Sequence, residues 1–429
     1  MKSGTATLAL SGNNNYSGNT NIQQGAIRAA HASALGSTAN GATIQGGTAR
    51  ASLELTGESS IAEPIQLVMH NNTDHTQLRN HSGDNTLTGQ LSLNSGGGRW
   101  DIASLAGSLT LAGPLVNIST GTDTWRTLHL HGPASGSITG NLTNSASGNS
   151  LTNLRIVSGN WMLAGTPKYY SGSTIVEGGS LEIQTSLTSN ITVNANAALR
   201  GSGSTTGSLT LQDTARLFTR LTDWDSPPAP FAAASLALTG AGVIDIRVDG
   251  AALENFTESP RSFAILTTGA APSPGTTQFQ VTAQDFPGPG TWSAALSGNE
   301  LRLTYQPDLY SAWTAGIDWQ GRDSSPLADP ENDGLVNLLE YALGGDPLAS
   351  DPGILPQPSL SNNRLALTFQ RIADPDLIYQ VQASENLADP WQTVWSSTGG
   401  QNTAGQVTVE DIQTITGHPR RFMRLRVSR

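Results

Sequence analysis

The 429-residue chain has only 13% charged residues, 47 glycines, no cysteine and a formal net charge of −11. That balance, with no Lys/Arg stripe, argues against nucleic acid as a partner. The lack of cysteine removes disulfides, thiol nucleophiles and thiolate metal sites together and fits an exported bacterial protein.

No apolar run approaches the ~18 residues of a membrane-spanning helix. Disorder is a poor reading of this composition, because Leu, Ile and Val alternate along the whole length. Met1-Lys2-Ser3-Gly4 runs straight into a polar strand pattern with no apolar signal segment. Since the chain opens inside a repeat, it reads as the later part of a longer precursor. An uncapped first strand there is expected to leave an open solenoid edge through which the chain self-associates.

Up to about residue 215 one phrase recurs: Leu, any residue, Leu, a small or polar residue, Gly. It occurs as Leu8-Ala9-Leu10-Ser11-Gly12, Leu53-Glu54-Leu55-Thr56-Gly57, Leu109-Thr110-Leu111-Ala112-Gly113 and Leu128-His129-Leu130-His131-Gly132. Trp161-Met162-Leu163-Ala164-Gly165 is a variant led by Trp, and Leu236-Ala237-Leu238-Thr239-Gly240 carries the phrase onward. Period-two alternation puts both apolar side chains on one face of a strand, and the glycine permits a tight corner. A longer phrase occurs twice. Tyr16-Ser17-Gly18 precedes Thr20, Ile22, Gly25 and Ile27, and Tyr170-Ser171-Gly172 precedes Thr174, Val176, Gly179 and Leu181 at the same offsets. Such repetition predicts a solenoid of about eight coils, each burying its apolar face against the next. Leu8, Leu10, Leu109, Leu111, Leu163 and Leu181 are expected to point inward, and the two long phrases to superpose as equivalent coils.

These phrases resemble the autotransporter-associated β-strand repeat. Ser11-Gly12-Asn13-Asn14-Asn15-Tyr16-Ser17-Gly18 fits its pattern with one extra residue. The second copy keeps Gly165, Tyr170 and Gly172 but has Thr166-Pro167-Lys168 in place of the Asn run. The resemblance covers about the first half of the chain. It implies a right-handed parallel β-helix in a large exported bacterial protein, secreted or held at the cell surface or outer membrane. The translocating barrel of a true autotransporter has no counterpart here, for want of a series of lipid-facing strands.

Beyond 215 the texture changes. Asp225-Ser226-Pro227-Pro228-Ala229-Pro230 reads as an exposed insertion, and 216–308 as the irregular end of the solenoid or a β-cap. Residues 309–352 form a linker with the chain's helical periodicity, at Leu335, Leu338, Leu339, Ala342 and Leu343, stopped by Gly344-Gly345-Asp346-Pro347. Residues 353–429 return to short alternating strands and predict a small β-sandwich. The stretch Gly334 to Gly344 followed by such strands looks like the C-terminal tail of many exported bacterial proteins.

The sharpest chemical signal lies in the linker. Asp329, Glu331 and Asp333 stand at positions 1, 3 and 5 of a calcium-loop pattern, Gly334 at 6 and Glu340 at 12. Alternate side chains of a tight loop converge on one point, where Glu340 adds a bidentate carboxylate from the helix. Leu335 supplies a backbone carbonyl and Asn337 holds a ligating water. The bound ion is expected to be Ca2+. Glu331 is longer than the usual residue, and the preceding segment around Ala312 to Ile317 is too short for a full EF-hand helix. The competing reading is an acidic helix start capped by Asp333.

Other candidates are thinner. His70, Asp74, His75 and His81 match no compact metal spacing and read as solvated or corner residues, and His129 and His131 as a polar outer face. Asp223 and Asp225, and Asp245 and Asp249 about Arg247, are the acid groupings a carbohydrate-active β-helix enzyme would need. Trp100, Trp125, Trp161 and Trp224 either present rings to sugars or fill wide coils. No Gly-x-Ser-x-Gly elbow and no phosphate loop is present. The sequence therefore favours a non-catalytic structural or adhesive surface protein with an extracellular polysaccharide or cell-surface component as partner. The alternatives are a β-helix polysaccharide lyase or hydrolase and a calcium-organised carbohydrate-binding module.

Overall fold

The computed structural model describes residues 1–120, 126–146, 150–272, 277–387, 390–418 and 420–429. The chain divides into two compact units. The first comprises Met1–Thr257, Arg261–Pro287 and Trp292–Tyr305, and the second Glu258–Pro260, Gly288–Thr291 and Gln306–Arg429.

The first unit is a parallel β-helix with three faces. One face stacks eleven strands, from Thr7–Leu10 through Arg99–Ser104 to Ser235–Thr239, and a second stacks ten, from Ser60–Ile61 to Gln278–Gln284. The third runs from Thr20–Ile22 to Leu142–Thr143 and resumes at Ser186–Leu187. Single bridges at Tyr169 and Lys168 span the interruption. Parallel stacking continues well past residue 215, because Phe231–Ala233 pairs in parallel with Arg261–Thr268 and Val243–Asp249 with Gln278–Gln284. An antiparallel pairing of Arg261–Thr268 with Glu300–Gln306 then breaks the coil pattern.

Alternation explains the core. On the first face Leu53, Leu78, Ile102, Leu130, Ile156, Val176, Val193 and Leu211 stand in register on successive coils. All are fully buried. Leu109, Leu111, Leu163 and Leu181 are buried as expected, and Leu10 packs partly buried against the core. Leu8 is a correction: it is 46% exposed, because Thr7–Leu10 is an edge strand with a neighbour on one side only.

The long phrases also need correction. Their local geometry agrees: the Tyr16 and Tyr170 hydroxyls meet Thr20 and Thr174 Oγ1 at 2.9 and 2.5 Å, and Gly25 and Gly179 share a left-handed φ of 69° and 66°. A Cβ at Gly25 would lie 2.5 Å from the Ala6 carbonyl oxygen, and one at Gly179 2.1 Å from that of Gly159. Yet Thr20–Ile22 and Gly25–Ala29 lie on the third and first faces, whereas Thr174–Val176 and Ser180–Ile183 lie on the first and second. The phrase encodes a corner, not a coil, and the same strand–glycine–strand chemistry serves at either edge.

Lys168, where the third face is interrupted, is wholly buried. Its ammonium donates to the carbonyls of Gly140, Ala164 and Thr166, each at 2.7 Å. Burial pushes its pKa down to about 8, so it still carries charge at neutral pH. Lys168→Met strands those carbonyls, and an orphaned buried polar group costs about 1–3 kcal/mol. Denaturant unfolding is expected to show a loss of roughly 3 kcal/mol, and an unchanged midpoint would mean that water replaces the ammonium.

In the second unit, Gln357–Ser361, Arg364–Arg371 and Gly405–Glu410 form one antiparallel sheet. Gln392–Thr398, Ile378–Ser384 and Phe422–Ser428 form another. Leu367, Phe369, Tyr379, Val381 and Val409 share a core with two short helices, α1 (Leu309–Ala315) and α2 (Asn337–Leu343). Asp308 caps α1, accepting the Ser311 amide at 2.9 Å. Among the described residues no helix is long and apolar enough to cross a membrane.

Candidate metal centre

The acidic loop leads into α2, which begins at Asn337, so Leu335 precedes the helix. Leu338, Tyr341, Ala342 and Leu343 turn into the core, and Tyr379 fastens the helix by donating to the Ala342 carbonyl at 2.8 Å. Gly344 ends it in the left-handed region at φ 78°. The N-cap residue is Val336, with no side-chain cap, so the capped-helix alternative for Asp333 does not describe this loop.

Asp333 instead folds the loop. Its Oδ1 accepts the Leu335 amide at 2.9 Å, while Asp329 accepts the amides of Asp333 at 3.1 Å and Gly334 at 2.9 Å. Asn332 and Gly334 take positive φ, 60° and 94°. This tight turn brings one oxygen each of Asp329, Glu331 and Asp333 within 4.8 Å of one another. Among the described residues they are the one set of three such acid or imidazole groups so gathered.

Glu340 comes from α2 and is wholly buried. Its carboxyl lies against that of Glu331, and no donor from any other residue reaches the carboxylate oxygens of either. Burial, and then the negative Glu331 beside it, push the Glu340 pKa up to about 8. Burial raises Glu331 as well, with Asp333 and Asp329 adding repulsion. Asn337 directs its side-chain NH2 to the carbonyls of Asp323 and Ser325, at 3.0 and 2.9 Å, and so pins the segment leading into the loop. Its Oδ1 is buried and unbonded. Leu335 is buried, with its amide on Asp333.

Of the remaining candidates, His129 and His131 take the outward positions of Arg126–His131 and Asp74 and His81 are exposed, whereas His70 departs from expectation. His70 is fully buried, not solvated. Its Nε2 faces Asp101 Oδ2 at 2.8 Å, and Asp101 also takes Arg99. Burial works against the Asp101 charge, but His70 and Arg99 outweigh it and hold the carboxyl below its usual range. His75 lies 2.9 Å from the Ala51 carbonyl, Asp74 pairs with Arg50 at 2.8 Å, and His81 is exposed. His131 meets Thr76 at 3.2 Å, and burial lowers its pKa and brings that of His129 to about 4. The network pins the loop 69–77 over the first face. Asp101 was missed in the sequence, where the only signal was its place beside Trp100.

Trp100, Trp161 and Trp224 are buried and present no ring to solvent, and Trp125 lies outside the described residues. The acid groupings are ion-paired or hydrogen-bonded: Asp225 to Arg261, Asp245 to Arg247, Asp249 to Arg220, with Asp223 accepting from Asn255. A groove of about 530 Å³ beside Arg200 and Phe218 contains Glu182 and Asp249, the latter held by Arg220.

The fold and these sites define a parallel β-helix followed by a small β-sandwich that carries an acidic loop. Residues 2–29 and 158–183 match the passenger-associated-transport-repeat family, the autotransporter-associated β-strand repeat, so the chain carries that repeat twice. Both matches fall on the long phrases. No curated protein and no solved structure matches the chain.

Proposed function

We propose that the chain is a non-catalytic structural passenger, displayed outside the cell as an adhesive scaffold towards polysaccharide or another surface component. The observation that carries this reading is the pair of transport-associated repeats built into the corners of a solenoid with one continuous buried core. In support, the acids that a sugar-cleaving site would need are tied to arginines or to hydrogen-bond donors. In cells that make the protein, antibody to the solenoid is expected to label intact cells or the medium. Labelling that appears only after permeabilisation overturns the reading.

In the same reading the second unit is organised by Ca2+. Asp329, Glu331, Asp333 and Glu340 are the side-chain ligands, Leu335 gives its carbonyl and Asn337 Oδ1 holds a water. The support is that a buried carboxylate with no donor is costly unless it is neutralised or ligates a metal, and Glu340 is such a group.

A further inference from the structure

The acidic loop does not end at Glu340. Past α2 the chain turns at Gly344 and returns beside the loop. The Asp351 amide donates to Asp333 Oδ2 at 3.1 Å, and the Asp346 amide donates to Asp351 Oδ2 at 2.9 Å. Asp351 Oδ1 is left buried with no donor. The turn is tightly built, since a Cβ at Gly345 would lie 2.5 Å from Ile354 Cδ1 and 2.8 Å from Asp351 Oδ2.

We propose that Asp351 is a further ligand of the cation, so that one ion clamps two segments, 329–340 and 346–351. The inference rests on the calcium reading above and extends it beyond the loop pattern. Apart from the contact between the Glu331 and Glu340 carboxyls, three groups carry buried oxygens that no donor from another residue reaches: both of Glu331, both of Glu340 and Oδ1 of Asp351. Among the described residues no Lys, Arg or His nitrogen forms an ion pair with Asp329, Glu331, Asp333, Glu340 or Asp351. Glu340 in particular is shut off from water, so it can ionise comfortably only against a cation.

The donor set selects the ion. Carboxylates drawn from two segments give many oxygens in an irregular shell, which suits calcium with its six to eight ligands; magnesium demands a near-ideal octahedron. The bound ion ties the turn after α2 to the loop before it. It thereby fixes both ends of the helix that delivers Leu338, Tyr341 and Leu343 to the core.

Two measurements on the full chain test this. Calorimetric titration with CaCl2 compares the wild type with Asp351→Asn. Amide hydrogen exchange follows segment 346–352 of the wild type with calcium and with chelator. Asp351→Asn is expected to weaken calcium binding about tenfold or more, by analogy with losses at supporting groups of metal sites. Calcium is expected to slow exchange at the amides of Asp346 and Asp351. If the wild type binds calcium while Asp351→Asn binds equally well, and exchange slows only within 329–340, the ion sits in a one-segment loop and the inference fails alone. If the wild type takes up no calcium, the calcium reading fails with it. The exchange measurement needs no variant, so a misfolded Asp351→Asn leaves the test intact.

Discussion

Gly136→Val is expected to be among the most damaging single changes in the solenoid, costing roughly 3 kcal/mol, the upper part of the usual overpacking range. Gly136 sits on the second face in register between Leu109 and Trp161. A Cβ there would lie 2.3 to 2.5 Å from three atoms of the Trp161 ring. Its φ lies outside the left-handed region, so the indole, not the backbone, excludes a side chain. Trp161 is itself 1% exposed, and Trp161→Ala removes a large buried ring at about 3–5 kcal/mol. The two positions form one packing unit, a missing side chain on one coil filled by an oversized one on the next. Gly136→Ala is therefore expected to destabilise the wild type but to be nearly neutral, or helpful, beside Trp161→Leu. Contacting pairs show coupling of about 0.5–3 kcal/mol in double-mutant cycles. Denaturant unfolding of the four proteins measures it, and equal costs of Gly136→Ala in both backgrounds would refute the complementarity.

This pair marks where sequence reading stops. Strand alternation was legible because each strand of the β-helix has one buried face, so Leu109, Leu111, Leu163 and Leu181 announce their own orientation. Register between coils was not legible, because coil length varies. Ile156, Val176 and Val193 stack on short turns, whereas Ile102 meets Leu130 across a longer one. Everything that depends on neighbouring coils was therefore hidden: Gly136 under Trp161, Lys168 among three carbonyls, and His70 against Asp101. Leu8 misled because alternation reports which way a side chain points, not whether a coil lies beyond it. The acidic loop shows the same boundary. Asp329, Glu331, Asp333 and Glu340 fall within one loop and helix start, where spacing alone implies proximity. The Asp351 amide reaches Asp333 through the turn at Gly344, and no spacing rule anticipates that return.

Stripped of divalent ions, the second unit is expected to lose stability as pH rises from about 5 to 8, and calcium to reverse the trend. Burial, then Glu331, hold the Glu340 carboxyl at about 8, against 4.5 for the free group, with Asp351 and Asp333 adding to the repulsion. A carboxyl whose folded pKa is raised keeps its proton in the folded state where the unfolded chain has already released it. Its contribution is therefore whole below the unfolded value and fades as pH rises through about 8. Glu331, shifted in the same direction, adds to the slope. Calcium needs the ionised ligand, so uptake at pH 7 drives off about one proton and tightens as pH climbs towards 8. At calcium a hundredfold above Kd the folded unit gains about 2.7 kcal/mol. Titration at pH 7 in two buffers of different ionisation enthalpy should give heats that differ by about one proton, a difference that closes above pH 9. Glu340→Gln should reduce the buffer dependence and the slope of the stability–pH curve in chelator to what Glu331 alone supplies, and weaken binding at least about tenfold, because the amide has no proton to lose and offers the ion a single neutral oxygen. Buffer-independent heats from the wild type at pH 7 would mean that Glu340 is already ionised beside Glu331, and the proton-linked account would fall while the site itself stood.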